Sequence, residues 1–186
     1  NFKIIGAFTL TAPNGGETWL VGTTQNITWT KVGSIANARL AYTTNGGVTY
    51  PLIVSSTPAG SLTYSWTIPD AVSGTVGVRI EDATDATVYD DSNANFRIRA
   101  IMTLTAPNGS EQWLVGNSYN VTWSLTGIIP NVKLEYSRDN FVSDLQTISA
   151  AATTGAGGGT YAWTIPDSIS ATVKVRVSDP NDSAAN

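Results

Sequence analysis

The chain of 186 residues repeats itself, and that repeat restricts the fold more than any other feature. FTLTAPNGGETWLVGTTQNITWT, beginning at Phe8, returns without a gap as MTLTAPNGSEQWLVGNSYNVTWS, beginning at Met102, an offset of 102 − 8 = 94. Pro13, Gly15, Trp19, Gly22 and Trp29 therefore correspond to Pro107, Gly109, Trp113, Gly116 and Trp123. Farther on, YSWTIPD around Trp66 matches YAWTIPD around Trp163 at 163 − 66 = 97, so the second copy carries 97 − 94 = 3 extra residues. The Ala/Thr/Gly tract from Ala150 to Gly159 is the natural place for them and reads as a loop. Two domains of one kind stand in tandem.

Each copy alternates apolar and polar residues at the period of a half-buried strand. Ile27 and Trp29, then Leu40 and Tyr42, then Leu62, Tyr64, Trp66 and Ile68, then Val76, Val78 and Ile80 share one face. The second copy repeats this with Val121 and Trp123, Leu134 and Tyr136, Tyr161, Trp163 and Ile165, then Val173, Val175 and Val177. No window carries a helical apolar stripe. Asn-Gly pairs at Asn14, Asn45 and Asn108 supply turns, and the Ile-Pro-Asp triplets at Ile68 and Ile165 end strands. About seven strands per 94-residue repeat, with an aromatic inner face, predicts an all-β chain of two tandem immunoglobulin/fibronectin-III-like β-sandwich domains, residues 7–100 and 101–186.

The register of the repeat sets residues 1–6 apart. Asn1-Phe2-Lys3-Ile4 matches Asn95-Phe96-Arg97-Ile98 at 95 − 1 = 94, and Phe96 and Ile98 read as the last strand of domain one. Domain two stops at Asn186, the counterpart of Asn95, one strand short of the pattern. The expectation is that Phe2 and Ile4 complete a preceding module, and that Val173, Val175 and Val177 form the acceptor edge for another copy, covalently continuous or not.

Composition narrows the chemistry. With no His and no Cys, the chain has no imidazole base, no thiolate and no disulfide, and it lacks the commonest zinc ligands. A net charge of −4 and a pI near 4.6 argue against nucleic acid as a partner, and no apolar run is long enough for membrane insertion. No charged-then-apolar leader opens the chain, which reads as soluble and either processed or an excerpt. No phosphate-binding loop and no paired glycosidase carboxylates stand out, so the reading is a non-enzyme without a cofactor.

Three residue groups remain candidates for function. The acidic cluster Glu81, Asp82, Asp85, Asp90 and Asp91, read as a loop before the last strand, would suit calcium as its hard cation; the alternative is a solvated acidic loop. The tryptophans read as core, with Trp19 and Trp113, beside glycine turns, the exceptions that could stack on cell-wall carbohydrate. Asn26, Asn108, Asn120 and Asn181 fit the N-glycosylation sequon.

The run of Pro13, Asn14-Gly15-Gly16, Glu17, Trp19, Gly22 and Ile27-Thr28-Trp29, with its echo from Pro107 to Trp123, resembles the immunoglobulin-like module of the Ser/Thr-rich, glycolipid-anchored fungal cell-wall family. Similar modules recur in tandem in secreted bacterial and archaeal surface proteins. The resemblance implies an extracellular or cell-surface sandwich without catalytic residues, serving as a structural or adhesion module. The Ser/Thr-rich tail and anchor signal of the fungal proteins are not present in these residues. Together these readings predict a structural module of an extracellular filament, stalk or array, joined head to tail by its N-terminal strand.

Overall fold

A computed structural model describes residues 2–182, which divide into two compact units, Asn1–Arg99 and Ala100–Asn186. Asn1 and residues 183–186 lie outside the described residues, and with them one end of the proposed assembly strand and the last position of the Asn181 sequon.

Unit 1 contains β1 (Ala7–Ala12), β2 (Thr18–Leu20), β3 (Thr24–Val32), β4 (Asn37–Thr43), β5 (Leu52–Pro58), β6 (Thr63–Thr67), β7 (Ser73–Asp82), β8 (Asp85–Asp91) and β9 (Phe96–Arg99). One sheet has the order β1-β3-β6, and the facing sheet β2-β9-β7-β4-β5, with β8 paired to β7. All pairings in the unit are antiparallel except β2 with β9. Period-two alternation sends Leu10, Ile27, Trp29 and Trp66 inward from the first sheet, and Leu40, Val78, Ile80, Phe96 and Ile98 from the second. Across the gap, Trp66 meets Tyr42 at 5.2 Å and Trp19 at 6.0 Å between ring centroids. The chain is an all-β sandwich, as the alternation predicts, and its only helical element among the described residues is a 3-10 turn at Ala59–Ser61.

Unit 2 contains β10 (Ile101–Ala106), β11 (Ser118–Thr126), β12 (Asn131–Ser137), β13 (Gln146–Thr153), β14 (Gly158–Thr164) and β15 (Lys174–Ser178). Its sheets run β10-β11-β14 and β13-β12-β15. The first repeats the order β1-β3-β6, with the same register between its first two strands: Leu104 faces Trp123 as Leu10 faces Trp29.

Three local expectations are corrected. Leu62 does not share the face of Tyr64 and Trp66: it has φ 58, in the left-handed region, directly after the 3-10 turn, which rotates its side chain into solvent. The tract from Ala150 to Gly159 is only partly a loop: β13 runs through Thr153 in one sheet and β14 starts at Gly158 in the other, so of this tract residues 154–157 alone connect the two sheets. Glycine occupies the start of β14 because of Trp123: a Cβ on Gly158 would lie 2.1 Å from the Trp123 carbonyl oxygen, and one on Gly159 2.5 Å from the indole. The acidic cluster is a hairpin rather than a loop, with Glu81 and Asp82 ending β7 and the three later aspartates on β8, which pairs with it.

Candidate functional site

The repeated Pro-Asn-Gly-x-Glu turn has a local cause. The Glu17 carboxylate accepts the backbone N–H of Asn14 at 2.7 Å and of Gly15 at 2.8 Å. Glu111 does the same for Asn108 and Gly109, both at 2.7 Å, and these bonds, the one from Asn108 foremost, hold its carboxyl below the ordinary range. The turn aims the next tryptophan at the sandwich interior. In unit 1 Trp19 follows it into β2 and is buried at 8% exposure, against the expectation that it stands outside the core.

What covers Trp19 is the last strand. Phe96 packs on it at 4.8 Å, and β9 lies between β2 on one side and β7 on the other. The backbone fixes both flanks. Arg97 donates to the Glu17 carbonyl at 2.9 Å, and Val21 donates to the Arg99 carbonyl at 3.0 Å; across the strand, Phe96 opposes Val76 and Ile98 opposes Ser73. Phe96 and Ile98 are wholly buried.

The same positions in unit 2 form an open groove of about 950 Å3, its lining including Leu104, Trp113, Val115, Trp163, Val173 and Val175. Trp113 keeps the edge contact of its counterpart, 6.0 Å and 70° to Trp163 against 6.0 Å and 71° for Trp19 to Trp66. Its other ring neighbour is Tyr119, stacked at 4.9 Å, whose hydroxyl accepts the Leu114 N–H at 3.2 Å and is lowered in pKa chiefly by that bond. Both walls of the groove are apolar and uncovered: Val173 is 42% exposed where Val76 is 0%, and Val115 is 47% exposed where Val21 is 6%. Gln112–Leu114 does not form the strand that Thr18–Leu20 forms, and β15 begins at Lys174, the counterpart of Gly77 (77 + 97 = 174), four residues later than β7.

This geometry bears unevenly on the three residues proposed as the acceptor edge, of which Val173 and Val175 line the groove. Of Val173, Val175 and Val177, only Val173 matches a residue that faces β9. Val177 is already buried within its own unit, paired with Leu134, because a four-residue strand spans only the front of β7. Sequence reading also missed the opposite wall at Trp113–Val115, since no alternation marks a strand of three residues.

Phe2 and Ile4 are 89% and 85% exposed, and residues 2–6 form no strand. Lys3 makes an ion pair with Asp85 on the β7–β8 hairpin, and this contact, the foremost cause, holds the Asp85 carboxyl down to about 2. The segment becomes anchored at Gly6, where an added Cβ would lie 2.7 Å from both the Val32 carbonyl oxygen and Ile35.

The remaining candidates are dispersed. Asp82 accepts the N–H and hydroxyl of Thr84, Asp90 accepts the Leu10 N–H at 2.7 Å, and Asp91 forms a two-pronged pair with Arg79 at 2.8 Å. Among the described residues no three His, Cys, Asp or Glu side chains gather as a metal site would require, so the structure does not assemble the calcium set read from sequence. Trp29, Trp66, Trp123 and Trp163 are buried, as expected. Asn26, Asn108, Asn120 and Asn181 are exposed. Among the described residues no helix is long and apolar enough to cross a membrane.

The chain matches no family model and no curated protein. Among solved structures it is similar to the fibronectin(III)-like modules of Clostridium thermocellum CbhA, at 16% identity over 96% of this chain and 89% of that one, TM-score 0.31. It is also similar to a chimeric titin Z1Z2-Z1Z2 tandem, at 17% identity over 93% and 92% of the two chains, TM-score 0.31.

Proposed function

We propose that the protein is a non-catalytic structural module of an extracellular filament, stalk or surface array, joined head to tail as the N-terminal strand of one copy fills the unit 2 groove of the preceding copy. One observation carries the reading. Unit 1 holds Phe96 and Ile98 where unit 2 has its groove, and Phe2 and Ile4, their sequence counterparts, are exposed at the other end of the chain. Burying Phe2 and Ile4 would contribute roughly 1.5–3 kcal/mol each, and each ladder hydrogen bond about 1 kcal/mol. A contact between unlike surfaces that does not close on itself propagates as a filament. The extracellular setting is inferred from the resemblance carried by Pro13 to Trp29.

The test replaces Phe2 and Ile4 with Asp. Unit 1 should stay folded while sedimentation and electron microscopy report loss of head-to-tail assembly; assembly unchanged by the double substitution overturns the reading. A denaturing mass of the natural material distinguishes separate chains of 19.6 kDa from one longer polypeptide of such repeats.

A second reading rests on Trp113. Half-buried and stacked on Tyr119 at the groove, it offers an aromatic face to a sugar ring. A glycan array separates the two: carbohydrate binding lost in Trp113→Ala, with assembly intact, would favour adhesion.

A further inference from the structure

Resting on the head-to-tail reading, we infer that the unit 2 groove is an insertion slot rather than a sheet edge, and that the entering Phe2–Ile5 segment of a second copy orders a strand on each side of itself. In unit 1 the last strand is internal to its sheet, parallel to β2 and antiparallel to β7. Offsets of 94 on the β2 side and 97 on the β7 side transfer each bond to a named partner. The Lys3 N–H donates to the Glu111 carbonyl, as Arg97 donates to Glu17, and the Val115 N–H donates to the Ile5 carbonyl, as Val21 donates to Arg99. Phe2 comes opposite Val173 and onto Trp113, and Ile4 comes opposite Ser170.

The local structure of the two walls supports insertion over edge addition. Gln112–Leu114 and residues 170–173 are the stretches of unit 2 that match β2 and the first turn of ladder in β7, and neither is a strand, whereas the neighbouring β12 and β15 pair in the same register as β4 and β7. A two-sided partner explains why both are affected at once. Edge addition would need only residues 170–173, and it would leave the Val115 side unchanged. Two ladders closing on one short strand also answer how so few residues could hold a neighbour, because a segment of four residues gains hydrogen bonds on both flanks in addition to two buried apolar side chains.

Hydrogen exchange on the full chain tests this, comparing the wild type at assembling concentration with the Phe2→Asp, Ile4→Asp double variant. The expected result is that amides of residues 112–115 and 170–173 both exchange at least about tenfold more slowly in the assembled wild type, and that a synthetic peptide of residues 1–6 added to the variant reproduces both effects. Protection confined to 170–173 overturns insertion and leaves head-to-tail joining by edge addition. A wild type that assembles with neither stretch protected overturns insertion and places the contact elsewhere. A wild type that never assembles removes the head-to-tail reading itself.

Discussion

Trp19 lies 4.8 Å from Phe96 with the two rings tilted by 57°, whereas Trp113, in the same sequence setting, stacks within 5° of parallel on Tyr119. Two indoles that the repeat makes equivalent thus report on different surroundings. Trp113 alone should give a component of fluorescence that acrylamide quenches in the unassembled chain, and Trp113→Phe should remove it. Assembly should remove it too. Quenching spread over most of the six tryptophans would contradict the packing described.

Trp29 is the central side chain of unit 1, fully enclosed, with its indole N–H donating to the Ala59 carbonyl at 3.0 Å. Trp29→Ala should destabilise unit 1 by about 3–5 kcal/mol, the usual cost of truncating a core aromatic. Urea unfolding measures it, and a loss below about 1 kcal/mol would mean the sandwich packs otherwise.

Calcium should have no effect on folding. The carboxylates of Asp82, Asp85, Asp90 and Asp91 each serve a different partner, and recruiting them to one ion would break the Arg79 pair and the bond to Leu10. The melting temperature should be the same in EDTA and in millimolar calcium. A shift of several degrees on chelation would restore the cation site.

Acid should release the N-terminal segment. Asp85 is held near 2, below the 3.8 of the unfolded chain, so its ion pair with Lys3 is complete above about pH 4 and is lost as pH falls through about 2. Lys3 is largely exposed, and a pair screened by solvent on one side adds little to stability, so the readout is the Asp85 carboxyl titration by NMR. In Lys3→Ala its midpoint should move back toward 3.8; an unmoved midpoint would assign the depression to Thr87 instead.

Much of this was legible from the residues, for reasons that also mark where reading stops. Ile27 and Trp29 declare their strand because one face is buried and the other wet. The repeat then places Trp123 without further argument. Leu62 kept the right period and still turned outward, since a left-handed residue after a 3-10 turn leaves no trace in apolar spacing. Gly158 and Gly159 read as loop because glycine ordinarily signals one, whereas here Gly158 makes room for the Trp123 backbone and Gly159 for its indole. The β8 segment, DATVYDD, hid among acidic residues whose charges are balanced by Lys3, some eighty residues upstream (85 − 3 = 82), and by Arg79 on the paired strand β7. The groove's second wall was invisible for the same reason: β2 exists through a partner some eighty residues downstream (97 − 18 = 79).

Only Ala100 separates β9 from β10, so any tension along the axis of β9 reaches that strand directly from the chain that leaves it. The bonds to β2 and β7 run across that axis on both sides. They must shear together rather than unzip one after another, and Phe96 must leave its seat on Trp19 in the same event. A strand held in this way resists a pull along its own axis more strongly than its equilibrium binding energy alone would suggest.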